Sequence, residues 1–228
     1  MNNTGLSRIS SRMTVQDGVY EQLRQALMWG QFEPEQVTTI SSLAAEFGTS
    51  HMPVREALRR LAAEKGLEIS RNGSARVPAV SRQRLDDLCR ARTALEGLAT
   101  KLATPRMKKA EIEHCLALAR EHESLGRNGQ VHEMLRKNQE FHFAIYELSG
   151  SEVLPQMIET LWLRFGPYMR MLSDLVIHQI NEGTIHPYST YHYEMIEAFR
   201  RGDAEAAAAL MVKDIEATQA LLQDMCPI

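Results

Sequence analysis

Two groups of side chains in this 228-residue chain have the types and spacing to do chemistry, and the first is Asn138, His142 and His192. On a helix turning 100° per residue, Met134, Leu135, Phe141, Ile145 and His142 all fall within about 60° of Asn138, which sets Asn138 and His142 inside an apolar stripe. His192 shares the inward face of a later helix with Met195, Ile196 and Phe199. Two histidines from separate helices, with an oxygen ligand one turn from the first, suit Zn²⁺ or a similar divalent ion. The competing reading is a packed core in which each histidine hydrogen-bonds a backbone carbonyl or a tyrosine. Arg92 is also inward, among Leu85, Leu88, Leu95 and Ala99; it either pairs with Glu96 one turn on or anchors an anionic ligand. A buried polar group without a partner costs about 1–3 kcal/mol, so several converging on one interior make a pocket or a metal site. His114, His122 and His132 lack comparable partners and are assigned to the surface. Met157, Leu161, Trp162, Phe165 and Tyr168 read as core or dimer contact.

The second group is Ser50, His51, Arg55, Arg59, Arg71 and Arg76. Ile40, Leu43, Ala44 and Phe47 form one apolar face of a short helix, and Gly48 gives the freedom a sharp turn needs. Ser50 can then accept from the free N–H groups of a second helix, where Pro53 suits the first turn. Val54, Ala57, Leu58 and Leu61 face inward there, which leaves Arg55, Arg59 and Arg60 outside. Leu67 to Ser70 and Ala75 to Pro78 read as strands joined by Arg71, Asn72, Gly73 and Ser74, and Asn-Gly favours a tight hairpin. That order is a winged helix-turn-helix. Its second helix enters a major groove, where arginine forms bidentate bonds to guanine or phosphate. Arg55 is placed nearest the bases, while Arg71 and Arg76 flank the wing tip.

Both groups need scaffolds. Beyond Pro78 the strand signals stop, and helical patterns run over residues 81–104, 108–125, 131–149, 154–172, 189–200 and 203–225; residues 173–187 are assigned to no element. The fold expected is mainly α: an N-terminal winged helix-turn-helix followed by an all-helical antiparallel bundle. The divisions are a flexible tail over 1–12, a DNA-binding domain over 13–78, and an effector-binding and dimerisation domain over 79–228. With 26 basic against 29 acidic residues the chain is slightly acidic, which argues against non-specific coating of nucleic acid. Residues 50–78 are the biased segment. Cys89, Cys115 and Cys226 are odd in number and widely spaced, which suits a reducing compartment. No apolar run approaches the roughly 20 residues of a membrane span, and no signal peptide is evident, so a cytoplasmic protein is expected.

The segments VYEQLRQALMWGQF, TSHMPVREALRRLAAEKGLE, RARTALEGLA, NQEFHFAIYELSG, LWLRFGPYMR and YHYEMIEAFRRGDAEAA resemble the GntR family of bacterial transcription regulators. They are similar in particular to its FadR-like branch, which carries an FCD domain. The resemblance implies a homodimer that binds a palindromic double-stranded operator, with repression the commoner behaviour, and a small, often carboxylate-bearing metabolite as effector. It also implies a metal held by a carboxylate or amide and three histidines. Asn138 and His142 take the first two of those positions and His192 the last. Arg170 stands in the region of the remaining histidine, with His178 and His186 nearby. The effector site implied is Arg92, Asn138, His142, Arg170 and His192. Two departures are visible: Pro34-Glu35 replaces Pro-Gly, and His51 follows Ser50 where arginine is common.

The function expected is a ligand-controlled DNA-binding regulator. The alternatives are a helical interaction protein whose interior is filled by its own side chains, and a metal-dependent hydrolase using His142 and His192. For the hydrolase no acidic residue is seen on the inward stripes to serve as base, since Glu140 and Glu147 point elsewhere.

Overall fold

The computed structural model describes residues 14–71, 73–183 and 189–227. The expected tail over 1–12, Asn72 of the hairpin and His186 lie outside the described residues. The first helix, α1 (Val15–Met28), starts in a reciprocal cap in which Thr14 accepts from the Asp17 N–H and Asp17 accepts from the Thr14 N–H. After β1 (Val37–Thr38), α2 (Ile40–Glu46) and α3 (His51–Ala63) make the helix-turn-helix, and β2 (Glu68–Ile69) and β3 (Ala75–Arg76) make the wing. The strands pair antiparallel in the order β1-β3-β2. The reading of the sequence missed β1, and its wing strands were longer than those that form. Ser50 occupies the cap position of α3, but its side chain makes no capping hydrogen bond, contrary to expectation. Glu35, standing where glycine was the expected type, takes the left-handed backbone at φ 65° and pairs with Arg76.

The helical half comprises α4 (Arg82–Ala103), α5 (Lys109–Arg127), α6 (Val131–Glu147), α7 (Leu154–Asn181), α8 (Thr190–Arg201) and α9 (Ala204–Gln223). Gly202 ends α8 in the left-handed conformation, and Asp203 caps α9 through the Ala206 N–H. The main correction concerns α7, which continues past Leu172 through nine more residues to Asn181. Ser173 and Val176 still face inward there, while Asp174 and His178 are exposed, so the apolar signal thins without the helix ending.

This long helix joins the two halves. Gly166 of α7 meets α1 so closely that a Cβ there would run into the Leu27 carbonyl, and Pro167 follows inside the helix. Gly30, at φ 68°, lies against the backbone of Met169 and Arg170. Polar contacts close the junction. Arg24 pairs with Glu159, the Arg164 Nε donates to the Glu64 carbonyl at 3.1 Å, and the Trp29 Nε1 donates to Gln139 Oε1 at 2.6 Å. Gly166→Ala is expected to destabilise the protein by about 1–3 kcal/mol, because the obstructing atom is backbone and cannot swing away. A urea transition unchanged from wild type would contradict so close an approach.

Candidate functional site

On the winged half, α3 buries Val54, Ala57, Leu58 and Leu61 and leaves Ser50, His51, Arg55 and Arg59 exposed. Arg55, Arg59 and Arg71 line one groove with Ile40, Leu58, Ile69 and Gly73. Arg59 pairs with Glu56 at 2.8 Å, whereas Arg55 has no acidic partner among the described residues. Arg76 is committed to Glu35 and does not line that groove. Arg60, read as part of the outer face, turns back: it lies 3.6 Å from the Tyr20 ring centroid and pairs with Asp17 and Glu64.

In the helical half, His142 of α6 and His192 of α8 come together with ring centroids 5.3 Å apart. A residue the sequence reading missed joins them. Asp214 of α9 places Oδ2 3.3 Å from His142 Nε2 and Oδ1 3.9 Å from His192 Nε2. Ligand atoms of the three residues all lie within 4.8 Å of one another. The signal was present, because Asp214 shares a helical face with Ala207, Met211 and Thr218. The statement that no acidic residue turns inward is therefore corrected. Asp214 remains 15% accessible, so the cluster opens on that side. Asn138 is half-buried one turn before His142 and makes no hydrogen bond among the described residues.

His122 is the second correction. It is buried rather than superficial, shares a ring contact of 5.1 Å with His192, and bonds Ser189 Oγ through Nδ1 at 2.8 Å. Leu118, Ala119 and Leu125 lie at helical spacing from it and mark the face it shares. His114 and His132 are exposed, as expected.

The electrostatics follow from desolvation. Burial pushes His192 down to about 3 and His122 down to about 4, with Asp214 opposing both shifts. Burial works to raise the Asp214 carboxyl, but its close contact with His142 and the nearby His192 and Arg92 hold it below the usual range. Among the described residues, neither ring nitrogen of the fully buried His192 has a hydrogen-bond partner. Phe141 stacks on that ring at 4.2 Å, which fixes its plane.

Arg92 forms the intrahelical pair: Nε meets Glu96 Oε1 at 2.7 Å, and the guanidinium lies over Trp162 and Phe165 at 4.8 and 4.4 Å. Tyr146 hydrogen-bonds both Glu96 and His142, which ties Arg92 to the histidine cluster. Arg170 is placed elsewhere. It pairs with Glu33 and Asp174, eight residues or about 12 Å of helix beyond the Trp162 that touches His142. His178 is exposed and pairs with Glu182, so it does not complete the cluster either.

A winged helix-turn-helix joined to a helical bundle with an inward polar cluster defines a class of one-chain regulators, and comparison with known proteins gives the family. Residues 15–77 match the model for bacterial regulatory proteins of the gntR family, and residues 87–217 match the FCD domain. The chain belongs to the GntR family and carries an FCD domain. It is 27% identical over 204 residues to the HTH-type transcriptional regulator McbR of Escherichia coli (strain K12), covering 90% of each chain. It is 31% identical over 154 residues to the HTH-type transcriptional repressor GlaR of the same organism, covering 66% of this chain and 70% of GlaR. The solved structure of E. coli McbR/YncC shares the fold, with a TM-score of 0.86 at 24% identity over 94% of this chain and 99% of that one. The family and these relatives are transcription regulators, not enzymes, so the hydrolase alternative has no support.

The depressed histidines have a consequence for stability. Both rings titrate from an ordinary value of 6.5 when unfolded, so below that pH the unfolded chain binds more protons than the folded one. Stability contributed by the neutral rings is fully present above pH 6.5 and is lost as pH falls toward about 4 and then about 3. The metal-free protein is expected to melt at progressively lower temperature between about pH 7 and about pH 5, with a shallower slope in His192→Leu. Equal slopes would show that His192 is not buried as the neutral ring.

Proposed function

We propose that this protein is a homodimeric transcription repressor whose operator affinity is set by a small carboxylate-bearing metabolite bound beside a divalent metal in the helical half. Residues 13–78 act as the DNA-binding part and residues 79–228 as the effector and dimerisation part. The observation that carries the regulatory reading is the convergence of His142, His192 and Asp214 inside a bundle attached to a helix-turn-helix. The filled-core alternative leaves two buried nitrogens of His192 without a hydrogen bond among the described residues, a cost of about 1–3 kcal/mol each, and a cation bound at one of them would relieve that one. The donor set fits Zn²⁺ or a similar ion: two imidazoles and a carboxylate, with Asn138 one turn before His142. When bound, the ion supplies a positive centre that attracts a carboxylate. Arg92 sits on the same network through Glu96 and Tyr146, which supports it as a second positive group near the effector. Arg170, held at the domain junction, is left out of this site.

Regulation requires the effector to bind two dimer geometries with different affinity; tight binding alone shifts nothing. The contacts of the junction supply a physical link. Gln139, adjacent to Asn138, accepts from Trp29 at the end of α1, and Arg164 of α7 holds the carbonyl that ends the recognition helix. Exposed Leu98 and Leu102 on α4, with Val153 and Met157 at the start of α7, support the helical half as the dimer contact.

Selection of bound sequences from random duplexes is expected to return palindromic sites, and Arg55→Ala should weaken the best of them by about 1–3 kcal/mol at matched salt. An asymmetric single site would overturn the dimer, and an unchanged affinity would remove Arg55 from base contact. A thermal-shift panel of small organic acids, each with Zn²⁺ and with chelator, tests the effector site. The expected result is stabilisation by an acid only in the presence of metal; no response to Zn²⁺ alone would end the metal reading.

A further inference from the structure

The ring of His142 lies between two groups that compete for its proton. Its Nδ1 is 3.0 Å from the Tyr146 hydroxyl, and its Nε2 is 3.3 Å from Asp214 Oδ2. A neutral imidazole carries a single N–H, so only one of these contacts can be a donation from the ring. The hydroxyl decides which. Tyr146 also bonds Glu96, whose carboxylate is paired with the Arg92 guanidinium and therefore accepts hydrogen bonds but has none to give. The single hydrogen of Tyr146 goes to Glu96, and the tyrosine oxygen is left to accept from Nδ1–H of His142. Nε2 is then without a hydrogen while facing a carboxylate oxygen, an arrangement that is repulsive until a cation lies between them.

The geometry points to Tyr146 and Glu96 as the positioning pair of this centre: they hold the proton of His142 on Nδ1 and so present Nε2, bare, to a divalent cation. Tyr146 is not itself a ligand. It acts through the ring it orients, and Glu96 acts through Tyr146. Arg92 thereby gains a role apart from any contact with effector, because it pairs with the Glu96 carboxylate that stands as the acceptor at the end of the chain. Without the tyrosine oxygen, neutral His142 would place its hydrogen on Nε2 and donate to Asp214, closing the position the metal needs.

The part of this inference that concerns metal affinity rests on the reading of the cluster as a cation site, but the placement of the proton does not. Two measurements separate them. The first is nitrogen NMR of histidine-labelled, metal-free protein at about pH 8, read at His142 after assignment by His142→Gln. A protonated Nδ1 is expected in wild type, and a bare Nδ1 would overturn the inference. The second is a zinc chloride titration against a fluorescent chelator. Tyr146→Phe is expected to weaken zinc binding by about 10–100-fold, as loss of a ligand's outer partner does. Unchanged affinity would overturn the positioning role, because a purely structural tyrosine would alter the melting temperature and leave the Nδ1 resonance and zinc affinity alone. If Tyr146→Phe does not fold, the wild-type resonance decides. If wild type takes up no zinc, the metal reading fails while the same resonance still tests the proton's position.

Discussion

Removing charge and imidazole from water is the constraint around which the helical half is organised. Arg92 and Glu96 are both buried on one helix, and neither would be stable there alone. They neutralise each other, and the remaining valence of Glu96 is satisfied by Tyr146, which in turn receives His142. Asp214 ends the chain on the far side of that ring. Helices α4, α6 and α9 are thus registered against one another by a polar line through an otherwise apolar interior. The line is satisfied from Arg92 to the Nδ1 side of His142; beyond it, Nε2 faces the Asp214 carboxylate, and His192 stands with neither nitrogen hydrogen-bonded among the described residues. A site and a core are built from the same residues here, and the unbonded nitrogens mark where one becomes the other.

The second organising element is α7. It lays Trp162 and Phe165 against Arg92, and Trp162 against His142, on one stretch. On the next it admits α1 at Gly166 and presents Arg170 to Glu33. A single helix in contact with both halves gives a tilt at the cluster a direct path to the winged half. Under the proposed reading, that linkage is what would let a bound effector alter the spacing of two recognition helices in a dimer.

Much of this was legible in the sequence because it is local. The α2, turn, α3 and wing order is set by neighbouring residues, with Gly48 in the left-handed conformation at the turn and apolar faces at helical spacing. His142 and His192 were found by asking which polar residues fall within apolar stripes. The same question finds Asp214 and His122, but both sit in weaker settings. The helix of Asp214 is so rich in alanine that its inward face barely stands out, and His122 is flanked by Glu121 and Glu123. The arginines show the opposite error. Arg170 and Arg60 looked available by type and position, yet each is occupied by acidic partners distant in sequence or a turn away. Long-range pairing of that kind leaves no periodic trace. Strand β1 is equally silent, since two residues are too few to carry an alternation.

The placement of the indoles has a practical bearing. The chain has two tryptophans, and the fold separates them: Trp162 lies beside the His142 ring, and Trp29 is hydrogen-bonded to Gln139 where α1 ends. Excited at wavelengths that indole absorbs and phenol does not, the unlabelled protein therefore emits from those two places. One indole reports on the surroundings of the His142 ring and the other on the contact between α1 and α6, and replacing either by phenylalanine isolates the signal of the remaining one.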